Sequence, residues 1–107
     1  MSGMDFNKLA EQARQMQEEL QRVQAEAASE LVTASAGGGM VKVTATAGGE
    51  ITQIAIDPKA IDPSDPELLA DLVMAAVNEA LRSGRTLLES KLGSLLPGDL
   101  GGLLPGM

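Results

Sequence analysis

The sequence predicts an α+β domain of order helix, three-stranded antiparallel sheet, helix over residues 4–92, with a flexible Leu/Pro/Gly tail at 93–107. Three observations carry the prediction. Apolar residues recur at three- and four-residue spacing from about Asp5 to Glu30 and again from Pro66 to about Leu92, the period of one helix face. Between these stretches, apolar and polar residues alternate from Val41 to Ala47, the period of a half-buried strand. Gly and Pro gather where these segments meet and dominate from Gly93 onward, as expected where a chain turns or leaves a core.

The first helix contains no Gly or Pro. Phe6, Leu9, Ala13, Met16, Leu20, Val23 and Ala27 form a heptad seam along roughly 39 Å of helix. Either the chain's own sheet or a partner subunit can cover that seam. A seam longer than the sheet favours the partner. Lys8, Arg14 and Arg22 fall on the face away from it. Arg22 lies four residues from both Glu18 and Glu26, a spacing that pairs opposite charges on a helix surface. The face reads either as solvated ion pairs or as a cationic surface.

Leu31 to Ala36 reads as a short strand with Val32 and Ala34 on one face. Gly37-Gly38-Gly39 follows. It lacks the Lys and Ser/Thr of a phosphate-binding P-loop and opens a strand rather than a helix, so it reads as a turn. Val41, Val43, Ala45 and Ala47 then alternate with Lys42, Thr44 and Thr46. Gly48-Gly49 supplies the positive φ of a hairpin turn. Ile54 and Ile56 restore the alternation, and Asp57-Pro58 ends the strand. Two or three strands cannot bury their own apolar face, so something must lie on it.

The connection to the second helix carries Asp57, Asp62 and Asp65 without the spacing or glycine of a calcium loop. Asp65 reads as an N-cap, with Pro66 at the first helical position and Glu67 at the helix's positive end. Leu69, Leu72, Val73, Ala76, Val77, Ala80, Leu87, Leu88 and Leu92 mark a broad apolar face. Ser83-Gly84 interrupts it at a cost of about 1 kcal/mol relative to Ala, which predicts a bend or fraying there. Arg82, Arg85 and Lys91 form a second cationic cluster in the last third, where cations complement the helix dipole. Asn78, close to the apolar stripe, is expected to make a structural hydrogen bond. The tail repeats Leu-Leu-Pro-Gly at residues 95–98 and 103–106 and reads as mobile, with docking on a partner as the alternative.

Composition narrows the function. The 107 residues suffice for one domain, and Phe6 is the sole aromatic. A core of Leu, Val, Ile, Met and Ala at this size is small, which favours an oligomer. Cys, His, Tyr and Trp are absent. That removes Ser-His-Asp and Cys-His arrangements and any His/Cys metal site, so no enzyme, cofactor or metal centre is expected. Met1 to Asp5 lacks the basic-then-apolar pattern of a secretory leader, and no apolar run reaches membrane-spanning length. The formal net charge is −7, from eight basic and fifteen acidic residues. Taken alone this opposes a polyanionic partner, so the distribution of charge decides.

The strand block Gly39-x-Val41-Lys42-Val43-Thr44, then Gly49, then Ile54-x-Ile56-Asp57-Pro58 resembles the central signature of the YbaB/EbfC family of small bacterial nucleoid-associated proteins. Leu72-Val73-x-Ala75-Ala76-x-Asn78-x-Ala80 is similar to that family's second helix. The resemblance covers roughly Met4 to Leu92. It implies an intimate homodimer to which the sheets contribute, and a cytoplasmic, nucleoid-associated location. It further implies binding of double-stranded DNA with low sequence specificity, shaping DNA and modulating gene expression. The binding mechanism legible in the residues is phosphate neutralisation by Lys8, Arg14, Arg22, Arg82, Arg85 and Lys91. The sequence departs from more basic family members, which carry additional Lys and Arg. The alternative is an acidic dimeric scaffold that binds a protein through the heptad face or the tail.

Overall fold

The computed structural model describes residues 3–94, with side chains from residue 5 onward. Helix α1 (Gly3–Ala28) leads into strands β1 (Leu31–Ala36), β2 (Val41–Thr46) and β3 (Ile51–Ile56). A single 3-10 turn (Pro58–Ala60) then precedes helix α2 (Pro66–Gly93). The strands form one antiparallel sheet in the order β1-β2-β3. This is the expected α+β architecture, with element ends shifted by one or two residues where helix termini fray.

Registry follows the alternation. Ala36 pairs with Val41 and Leu31 with Thr46 across β1 and β2. Gly37, Gly38 and Gly39, all at positive φ, close that hairpin. On the other side Val41 pairs with Ile56 and Val43 with Ile54, but Ala45 pairs with Ile51. The odd residue is Thr52, held in a β-bulge between the Thr44 and Ala45 pairs, where its hydroxyl donates to the Thr44 carbonyl at 3.2 Å. The extra residue resets the pleat. Ile51 and Ile54, three apart, therefore share the face that carries Val41, Val43 and Ala45.

Helix α2 lies on that face, against β1 and β2. Val41, Val43, Ala45, Ala76 and Ala80 are fully buried between them. The contact is close because the helix presents small residues. A Cβ on Gly84 would sit 3.0 Å from the Thr46 carbonyl oxygen and 3.2 Å from the Ala47 Cα. Gly84 is buried, and α2 runs unbroken through Ser83-Gly84. The expected fraying is absent, and close backbone approach, rather than weak helix propensity, explains the glycine. At the helix start, the Asp65 carboxylate accepts the Leu68 N–H at 3.3 Å, with Pro66 in the first turn, as the capping signal indicated. Just upstream, the hydroxyl and backbone N–H of Ser64 hold the Asp62 carboxyl below its ordinary range.

The β2–β3 turn also anchors α1. Gly48 donates its N–H to the Ala28 carbonyl at 2.9 Å, and Ala47 to the Glu30 carbonyl at 2.7 Å, satisfying acceptors at and just past the helix end. A Cβ on Gly48 would lie 3.2 Å from both Ala28 Cβ and Ala28 O. Of the two turn glycines only Gly49 has positive φ, 104°; Gly48 is there for space. Beyond this root α1 is on its own. Ala27 is buried, yet Phe6 is 73% exposed, Leu9 65%, Met16 67% and Leu20 44%. The chain's own sheet does not cover the heptad seam, since α2 occupies that place.

The two glycines of α2 predict opposite behaviour. Gly84→Leu forces a side chain into the Thr46 carbonyl and should cost about 1–3 kcal/mol, the range for overpacking. Gly93→Ala meets nothing within 4 Å and should be neutral or slightly stabilising. Urea denaturation midpoints compare the two directly.

Candidate nucleic-acid interface

On α1 the cations are already engaged. The Arg14 guanidinium bridges Glu11 and, at 2.7 Å, Glu18. Arg22 repeats the arrangement one heptad and one residue later, bridging Glu19 and, at 2.7 Å, Glu26. The Glu19 hydrogen bond is the first cause raising the Arg22 pKa above its ordinary value. Both pairs are exposed, so each contributes little to stability. Their effect on an incoming anion is larger, because a phosphate must displace a carboxylate before it gains the arginine. Lys8, nearer the helix start, has no ion pair among the described residues.

The second cluster splits. Arg82 and Arg85 point outward on α2 and share a shallow concavity with Ser35 of β1, Asn78 and Glu79. Arg82 pairs with Glu79 at 2.8 Å, whereas Arg85 has no ion pair among the described residues. Arg85 also borders a second hollow, formed with Gly48 and Gly49 of the β2–β3 turn. Lys91 faces the other way and meets Glu30 at 3.3 Å. Asn78 is exposed rather than held inside the apolar stripe. Its amide adds a neutral donor beside the two guanidinium groups, a mixture that suits phosphate oxygens.

Two further exposed cations, Lys42 and Lys59, were not singled out in the sequence. Lys42 stands on the sheet face opposite α2, among Thr33, Ser35, Thr44 and Gln53. None of the three strands contains an Asp or Glu. All fifteen carboxylate side chains of the chain lie in its helices, connections and tail. The signal was present in the sequence as strands free of acid in an acidic chain. Among the described residues no group of His, Cys, Asp and Glu is placed to hold a metal ion, and no described helix is long and apolar enough to cross a membrane.

These features define a small α+β protein with an extended helical arm and an open, carboxylate-free sheet face. The chain belongs to the YbaB/EbfC DNA-binding family, whose model matches residues 1–100. A nucleoid-associated protein of Acetivibrio thermocellus is 46% identical over 105 residues, covering 98% of this chain and 91% of its own. One from Streptomyces avermitilis is 47% identical over 103 residues, covering 96% and 91%. Among solved structures, an uncharacterized protein of Helicobacter pylori superposes with a TM-score of 0.69 at 23% identity, covering 86% of this chain and 97% of that one. That similarity supports the fold.

Unequal pairing of the arginines predicts unequal roles. Arg85→Ala should shift the logarithmic salt slope of duplex binding by about 0.9, one phosphate's worth. Arg14→Ala should shift it by clearly less, because Glu11 and Glu18 already offset that charge. Filter-binding titrations across a salt series measure both slopes.

Proposed function

We propose that the chain is a homodimer that binds double-stranded DNA through its phosphates with low sequence specificity, shaping the nucleoid and modulating gene expression. Membership of a DNA-binding family is the observation that carries this reading. The nucleoid-associated relatives support a place in the cytoplasmic nucleoid. The contacts assigned to DNA are Lys8, Arg14, Arg22, Arg82, Arg85 and Lys91, with Arg85 and Lys8 the most available. These are cations dispersed over two helices, an arrangement that favours contacts to the backbone over contacts to base edges. If four to six phosphates are neutralised per dimer, log affinity falls with log salt at a slope of roughly −4 to −5.

The dimer contact is assigned to β3. This strand has a free edge and carries Ile54 and Ile56 on the α2 side of the sheet, where α2 does not reach. Ile54 remains 44% exposed. Met74 lies on the flank of α2 that Leu81, seven residues on, turns toward the β2–β3 hairpin, and it is exposed as well. A second copy related by a twofold axis would pair the edges and cover these residues.

The uncovered α1 seam favours one other reading, an acidic dimeric scaffold that holds a protein partner. Gel-shift titration with two unrelated duplexes separates the readings. Equal retention of both at about 50 mM salt, lost steeply as salt rises, is expected for the DNA binder. No retained duplex at that salt would leave the scaffold. Separately, Ile54→Glu should convert the dimer to a monomer in light scattering while circular dichroism stays unchanged. A dimer that survives the substitution would place the contact elsewhere.

A further inference from the structure

The seam of α1 has a candidate cover in the chain itself. The last turn of α2 lies against the root of α1: Val23, Glu26, Ala27 and Glu30 line one concavity with Lys91 and Ser94. Lys91 meets Glu30 there. Val23 and Ser94 border the same hollow, so the described residues end at the C-terminal root of the seam, whose further residues Leu20, Met16, Leu9 and Phe6 are exposed.

Thirteen residues follow, 95–107, carrying five Leu, one Met and a single charged side chain, Asp99. They lie outside the described residues. Their lengths match the seam. Val23 to Phe6 spans roughly 26 Å along the helix at 1.5 Å per residue. The two Leu-Leu-Pro-Gly units begin eight residues apart, which in an extended polyproline-like chain is roughly 25 Å. A first unit starting beside Val23 would bring the second to Leu9 and Phe6. Proline suits this path, since an extended chain on a helix surface makes no ladder hydrogen bonds and loses little freedom on docking.

We infer that the tail of the same chain, through Leu95-Leu96 and Leu103-Leu104, docks along the apolar seam of α1. The competing occupant is a second copy's α1. Tethering at the seam's root gives the tail an effective concentration on the order of millimolar, above a micromolar second copy. The inference is independent of the DNA reading and leaves the β3 dimer contact in place. It also reverses the expectation of a free, mobile tail.

The chain has no Cys, so Met107→Cys gives a single attachment point for a nitroxide without disturbing the seam. Isotope-labelled, spin-labelled protein is diluted into an excess of unlabelled protein, and amide signals of the full chain are recorded. Docking within one chain predicts broadening of Phe6 to Met16 that persists in the mixture. Broadening that vanishes on mixing would show the tail crossing to another copy, and no broadening at all would show an unoccupied seam. Either result overturns the inference. As a second measurement, Leu103→Asp with Leu104→Asp should accelerate amide exchange across residues 6–20 by tenfold or more, leaving β2 unchanged. Equal exchange in both proteins would also sink it, and protection that falls with dilution but ignores the substitutions would give the seam to a second copy.

Discussion

One helix lies on a three-stranded sheet, and its width cannot cover all three strands. An α-helix with side chains is about 10 Å across, and strands are spaced about 4.8 Å apart, so one helix covers about two. Here α2 takes β1 and β2. Ala76, Ala80 and Gly84 bring it so close that the fully buried core contains nothing larger than Val41 and Val43. The dry face of β3 is left beside the helix, with Ile54 and Ile56 exposed. The apolar face of β1 and β2 is taken, and α1 does not pack on the sheet. It is attached at its C-terminal root by the β2–β3 turn and projects from there with its apolar seam bare. Both surfaces assigned here to docking are consequences of that mismatch in width.

The elements were legible because each has its own period. Alternation gave β2, the three-four spacing gave both helices, and Asp65-Pro66 marked the start of α2. The bulge at Thr52 was not read, although Ile51 and Ile54 hinted at it. A three-residue gap between core isoleucines cannot fit a regular strand. Gly84 was misread because propensity is a local quantity, and its reason is a carbonyl from another element 3.0 Å from the missing Cβ. The α1 seam is legible as apolar, and its length favours a partner subunit as its cover, which the fold of one chain does not test. Periodicity shows that a face avoids water, but the partner is fixed by tertiary geometry.

Charge was legible in part for the same reason. Arg22 with Glu26 is an i,i+4 pair, visible in one dimension. Lys91 with Glu30 depends on how two helices meet, so the grouping of Lys91 with Arg82 and Arg85 could not survive folding. Asn78 follows the same rule. Its nearness to the stripe along the sequence did not fix its exposure, because the flank it occupies is set by where α2 rests on β1. The net charge of −7 was least informative of all. Fields are screened within about 8 Å at physiological salt, so a ligand at the sheet face responds to Lys42 and neighbouring hydroxyl groups far more than to carboxylates on the arm.

Ion pairing along α1 also shapes what kind of DNA binder the proposed function describes. Phosphate binding at Arg14 or Arg22 exchanges one anion for another, and the displaced glutamates then face the DNA backbone. The gain per contact is small there, and the unpaired cations must supply most of the binding. A dimer carries two copies of each at fixed separation, so modest contacts add through multivalency rather than through any one strong site. Binding of this kind is sensitive to salt and tolerant of sequence, because it reads spacing of phosphates and not base edges. On the proposed reading the glutamates would act as a brake, lowering affinity uniformly across sequences and keeping a surface of weak sites reversible without requiring any site to be specific.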